Sequence, residues 1–192
     1  MAHWRLVLKV AAVILLLSGF AIAQIVYTPV NVSIPVNGSY HLDVNQDGIP
    51  DFTIRSQILQ ARCQYGNGYT WDLSISPGAG DAVVVTTSDY VTALLANASI
   101  DSDRSLSSNT ALLTEFDWGQ CETGVFGEWL NLPNRYLGLQ FRLRASNDIH
   151  YGWAKVSAAA YLDQHGNLQT NTFLHGFAYQ MAAEVPITAG ER

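Results

Sequence analysis

Charge is scarce in this chain. Of its 192 residues only 14% are Asp, Glu, Lys or Arg, and lysine occurs twice, at Lys9 and Lys155. No basic stripe can form, which argues against nucleic acid and anionic lipid as partners. Cysteine is equally sparse. Cys63 and Cys121 stand alone, too few and too widely spaced for a cysteine-rich zinc site. After residue 23 no apolar run approaches the roughly 20 residues that span a bilayer. Glycine shows no collagen period, and 48% hydrophobic residues are too many for a disordered chain. HExxH, G-x-S-x-G, the P-loop and G-x-G-x-x-G are all absent. His41, His150, His165 and His175 are never three or four residues apart, so a histidine zinc site is not expected. No repeat of about 20–50 residues is visible.

The first segment reads as a targeting signal. Arg5 and Lys9 precede an apolar run from Val10 to Phe20, and Ala21-Ile22-Ala23 forms a small-x-small cleavage site before Gln24. An uncleaved anchor is the alternative, but the run after Lys9 is only about 14 residues long. Residues 1–23 are therefore expected to be removed, leaving 24–192 as one exported domain, extracellular or periplasmic. Removal of Arg5 and Lys9 takes the basic residues from 10 to 8 against 16 acids, a net charge of −8. Such a surface suits a divalent cation.

The remainder alternates like strands. Val30, Val32, Ile34 and Val36 recur at period two, as do Leu137, Leu139, Phe141 and Leu143. Asn37-Gly38, Asn67-Gly68, Pro77-Gly78-Ala79-Gly80 and Asp163 to Asn167 are turn signals. Val91, Leu94 and Leu95 after Ser88 and Asp89 predict one short helix over 88–98. Many short strands with frequent turns predict an all-β antiparallel sandwich or jelly roll, with at most that helix.

One motif carries chemistry. In Asp43-Val44-Asn45-Gln46-Asp47-Gly48-Ile49-Pro50-Asp51, oxygen side chains occupy positions 1, 3, 5 and 9, with glycine at 6. This is the first part of a calcium loop. Alternate side chains of a tight loop converge, Gly48 permits the turn, and the Ile49 carbonyl supplies the position-7 oxygen. Position 12 is Ile54 rather than glutamate, and Pro50 directs the chain into a strand. The expected ligands are Asp43, Asn45, Asp47, Ile49 and Asp51, with calcium as the cofactor; a bare Asx-rich hairpin turn is the alternative.

Other residues are candidates of lower specificity. Cys63 and Cys121 are expected to form a disulfide in an oxidising compartment, with two buried thiols as the alternative. Trp118, Trp129, Tyr151 and Trp153 could stack on sugar rings, although large aromatics more often fill cores. Glu115, Asp117, Glu122 and Glu128 could furnish a glycosidase pair, against which stands a solvated acidic loop. No catalytic residue is assigned. Three sequons, at Asn31, Asn37 and Asn97, matter only in a host that glycosylates them.

Trp129-Leu130-Asn131, Tyr136 to Phe141, His150-Tyr151-Gly152-Trp153-Ala154-Lys155-Val156, Gly176-Phe177-Ala178-Tyr179 and Pro186-Ile187 form a further pattern. With the Asp43–Asp51 loop, it resembles a family of uncharacterised secreted bacterial proteins, many of which end in a PEP-CTERM sorting signal. The resemblance covers most of the mature chain and implies a fold more than an activity. Glycine between two aromatics at 151–153 suggests close packing at a bulge. The chain ends Ala189-Gly190-Glu191-Arg192, where the family's anchor would follow, so surface anchoring is not expected. The expectation is a secreted, calcium-binding, non-catalytic module with an adhesive, envelope or matrix role. Its partner would be an extracellular glycan or cell-envelope protein. A carbohydrate-binding module and a small glycoside hydrolase are the alternatives.

Overall fold

Alternating apolar residues and frequent Asn, Gly and Pro turns favour strands, and among the described residues the chain forms strands and no helix. The computed structural model describes residues 24–121 and 123–192, with Ala61 described by its backbone. The expected signal segment, residues 1–23, lies outside the described residues. Thirteen strands follow in order: β1 (Ile25–Ser33), β2 (Gly38–Leu42), β3 (Phe52–Cys63), β4 (Gly66–Pro77), β5 (Ala82–Val84), β6 (Ser99–Ile100), β7 (Leu106–Ser107), β8 (Ala111–Gly119), β9 (Gly124–Gly127), β10 (Leu132–Arg142), β11 (Ile149–Leu162), β12 (Leu168–Gln180) and β13 (Ile187–Thr188).

One sheet has the order β1-β12-β11-β10-β5-β7 and the facing sheet β2-β3-β4-β8-β9; β6 and β13 form a separate pair. Every strand pairing is antiparallel. Period-two alternation points Phe52, Ile54, Trp71, Leu73, Ile75 and Leu113 of one sheet at Leu137, Leu139, Phe141, Ala154 and Val156 of the other, in one shared core. The expected β-sandwich is the fold observed. A second, smaller cluster covers the opposite face of the six-stranded sheet. There Tyr151, Trp153 and Ala178 meet Val84, Leu94, Ile100, Ile187 and Ala189.

Three local expectations are corrected. Residues 88–98 form no helix. The amides of Val91, Thr92 and Leu94 donate to the carbonyls of Leu112, Val84 and Tyr136, and Asp89 and Asn97 have φ of 61° and 66°. The three residues at helical spacing do not share a face: Val91 enters the main core, Leu94 the second cluster, and Leu95 is exposed. Cross-strand partners thus override the local pattern. Second, Asn67-Gly68 is not a turn. Cys63 pairs with Gly66, so Gln64-Tyr65 is the two-residue connection, and Gly68 lies in β4. A Cβ there would stand 2.7 Å from the Cys121 Cβ, which is why glycine occupies the position. Third, Gly152 does pack closely, since a Cβ would lie 2.7 Å from the Ala178 carbonyl oxygen, but the bulge is elsewhere, between Lys155 and Val156. Asn37, with φ 58°, makes the expected turn, and that turn passes the chain from the first sheet to the second.

Candidate cation site

The Asp43–Asp51 loop connects β2 to β3 at one end of the five-stranded sheet. Its side chains wind it as Asx turns. The Asp43 carboxylate accepts the amides of Asp47 (3.1 Å) and Gly48 (2.7 Å). Asn45 Oδ1 accepts the Asp47 amide at 2.9 Å, and Asp47 Oδ1 accepts the Ile49 amide at 2.9 Å. Asn45 Nδ2 donates to Asp47 Oδ2 at 3.3 Å. Gly48 has φ 89° with open space around it, so the turn, not crowding, demands glycine. Asp43, Asn45 and Asp47 are thereby brought together, while Ile49 is exposed.

Asp51 behaves differently. It is buried, at 2% exposure, with Oδ2 accepting the Val44 amide at 2.7 Å. Its carboxyl is pushed up to about 6. Burial is the main cause. The Val44 amide opposes it, and the carboxylates of Asp81, Asp43 and Asp47 add to it in that order. Among the described residues, no three His, Cys, Asp or Glu side chains gather as a metal-binding group. Of the carboxylates that act on Asp51, Asp81 has the largest effect, ahead of Asp43 and Asp47.

Asp81 was not singled out from the sequence. It follows the Pro77 to Gly80 turn and directly precedes the fully apolar strand β5, and is 4% exposed. Its Oδ1 accepts the Arg142 amide at 3.0 Å. Burial raises its carboxyl, against the lowering by the Arg142 amide and the Arg144 and Arg142 guanidinium groups. Asp51, Ala79, Asp81, Arg142, Arg144 and Asn147 line a pocket of about 260 Å³. An acid directly before an all-apolar run was the one available signal, since a buried strand seldom begins with an unpaired charge.

Elsewhere the candidates separate. Cys63 and Cys121 form the expected disulfide, with a Cα–Cα distance of 5.6 Å. The proposed stacking aromatics are in the interior. Trp129, Trp153, Tyr151 and Trp118 are 0%, 1%, 4% and 9% exposed, because the sheets and the 187–192 segment cover them. The Trp129 indole N–H donates to the Val91 carbonyl and that of Trp153 to the Glu191 carbonyl. They offer no open platform.

The three described candidate acids lie in different settings. Glu122 lies outside the described residues. Glu128 accepts the Ala93 amide at 3.1 Å. Glu115 and Asp117 lie on the outward face of β8, opposite Asp72 and Thr70 of β4, and Asp117 accepts the Thr70 hydroxyl at 2.6 Å. Asp72, not singled out from the sequence, is 9% exposed with Oδ1 buried and unpartnered among the described residues. Burial is the main cause of its raised carboxyl; the Gln57 side chain lowers it and Asp117 raises it further. The register of β11 and β12 also sets Ser157 Oγ 2.9 Å from His175 Nε2. Among the described residues no carboxylate is bonded to the other nitrogen of His175, the orienting partner that triad chemistry uses.

Among the described residues no helix is long and apolar enough to cross a membrane. Compared with protein-family models, curated proteins and solved structures, the chain matches none.

Proposed function

We propose that this chain is an exported calcium-binding β-sandwich module with a non-catalytic, structural or adhesive role at the cell envelope or in the matrix. The observation that supports it is the position of the Asx-wound loop between β2 and β3, where Asp43, Asn45 and Asp47 are held together by their own loop amides. The carboxylates of Asp43 and Asp47 act by repulsion on that of Asp51, and a hard divalent cation accepting oxygen ligands would relieve this. The disulfide suits an oxidising compartment. A cell-envelope protein is the partner this reading favours over a glycan, because the aromatics that would stack on sugars are buried. Without a glutamate at position 12 the affinity should be about 10⁻⁴–10⁻³ M, as in extracellular modules.

Thermal unfolding in EDTA and in about 10 mM calcium, chosen to exceed that range, tests the reading. Calcium should stabilise the fold by about 1.4 kcal/mol at ten times the dissociation constant. Asp47→Ala should abolish most of the gain. Gln46→Ala should retain it, because Gln46 turns away to donate to the Thr28 hydroxyl at 2.6 Å. Equal midpoints in both buffers, with no calcium detected by titration calorimetry, would leave only a bare turn.

A further inference from the structure

We infer that Ser157 is an acylation site, a serine whose hydroxyl is activated by His175 to take one acyl group from an activated ester. This goes beyond the calcium reading above and does not use the Asp43–Asp51 loop, which belongs to the facing sheet. One acyl group per chain is a modification rather than turnover, so it is compatible with a structural role.

The pair is made by an irregularity in the sheet. Along β11 and β12 the register passes from Lys155 opposite Gly176 to Val156 opposite Leu174. His175 is skipped, as the extra residue of a β-bulge, and bulges re-aim side chains out of the ordinary alternation. His175 is thereby set against Ser157, with Nε2 2.9 Å from Oγ. That is the reach a base needs toward the proton it takes from a nucleophile. The Phe173 ring stacks on the imidazole, with centroids 6.1 Å apart and planes 18° apart, which holds the ring in place without a carboxylate.

The imidazole is able to accept that proton. Burial holds His175 below the usual histidine value, and the Lys155 ammonium lowers it further. At pH 7 the ring is therefore neutral, and with its hydrogen on Nδ1 it accepts the Ser157 hydroxyl.

The surroundings leave room for a substrate. Ser157 lines a depression of about 190 Å³. Leu132, Pro133 and Ala159 give it an apolar wall for an acyl chain. Asn171 also borders it, is exposed, and has no side-chain partner among the described residues. Its amide is a donor of the type that polarises a carbonyl. Ser157 and His175 are only half-buried, so a reagent reaches them from solvent.

In the step itself, Ser157 Oγ bonds to the ester carbonyl carbon as its proton passes to His175 Nε2. The tetrahedral adduct then breaks its bond to the leaving oxygen, which takes that proton and departs as an alcohol or phenol. An O-acyl serine and a neutral histidine remain.

The test is p-nitrophenyl acetate added to the purified chain, with the acetylated residues located by peptide mass spectrometry over time. Hydroxylamine cleaves an ester on Ser157 and leaves an acetylated Lys155 amide intact, which separates the two. In the unaltered chain Ser157 should be acetylated about a hundredfold faster than Ser146, since a positioned base is worth about 10²–10⁴ in rate. Ser146 is an exposed serine whose hydroxyl oxygen accepts the Asp148 amide. Ser157→Ala should abolish the fast adduct. His175→Gln, which keeps a hydrogen-bonding partner and removes the base, should slow Ser157 to the Ser146 rate. Ser157 reacting no faster than Ser146, or an unchanged rate in His175→Gln, overturns the inference. The comparison of the two serines needs no variant, and it decides alone should either substitution fail to fold.

Discussion

The β3–β4 hairpin is held at both ends, by opposite means. At one end Cys63, the last residue of β3, is bonded to Cys121 beyond β8. At the other, β3 begins and β4 ends among acids. Asp51 immediately precedes Phe52, and Gly78 immediately follows Pro77. The first closure is covalent and carries no charge. The second gathers carboxylates that burial and mutual repulsion work against. One end should therefore respond to reductant and be indifferent to pH and chelators, and the other should show the reverse.

The largest effect should come from opening the covalent end. Closing a separation of 58 residues is worth roughly 4 kcal/mol in the chain-entropy model. The Cys63→Ser, Cys121→Ser double variant should lose stability on that order in denaturant titration, with its calcium-induced shift intact. Loss of the calcium shift in this variant would mean that the two ends are not independent.

A smaller effect should follow from crowding the same end. Gly68→Ala places a Cβ 2.7 Å from Cys121 Cβ and 2.9 Å from its sulfur, and overpacking of this kind costs about 1–3 kcal/mol. The check is the unfolding midpoint with and without reductant. Reduction should recover part of the loss, because the cysteine can then move aside.

The smallest effect lies midway along β4. Asp72 is raised chiefly by burial, so the native state holds its proton more tightly than the unfolded chain. Between the ordinary aspartate value, about 3.9, and the raised one, stability falls as pH rises. Asp72→Asn should therefore raise the unfolding midpoint at pH 7, with the gain fading as the pH falls towards that ordinary value. An equal midpoint shift at both pH values would assign the effect to packing. Lying between the two ends, Asp72→Asn should leave both the disulfide contribution and the calcium shift unchanged.

Much of the architecture was legible in the residues. Alternation in Leu137, Leu139 and Phe141 described a strand with one face in the core, and 0% exposure of all three fits it. Two cysteines in a chain expected to be exported were enough to expect their bond. The 88–98 segment misled because helical spacing is a local property. Val91 and Leu94 are buried on opposite faces of one sheet, and only the pairing of that segment with Val84, Leu112 and Tyr136 decides it. Aromatic content likewise does not report exposure: Trp129 and Trp153 became core because sheets closed over them.

By itself the sequence determined what depends on neighbours along the chain: the period of the strands, the turns at Asn37 and Asp163, and the Asx winding of the Asp43–Asp51 loop. Each rests on interactions within a few residues, where covalent geometry restricts the options. Tertiary structure alone decided what depends on register and layer. It set Asp81 beside Asp51, Asp72 opposite Glu115 and Ser157 against His175, pairs that stand 30, 43 and 18 positions apart. Antiparallel pairing and sheet stacking fix such meetings through the whole set of strand partners, and no spacing within one strand encodes them.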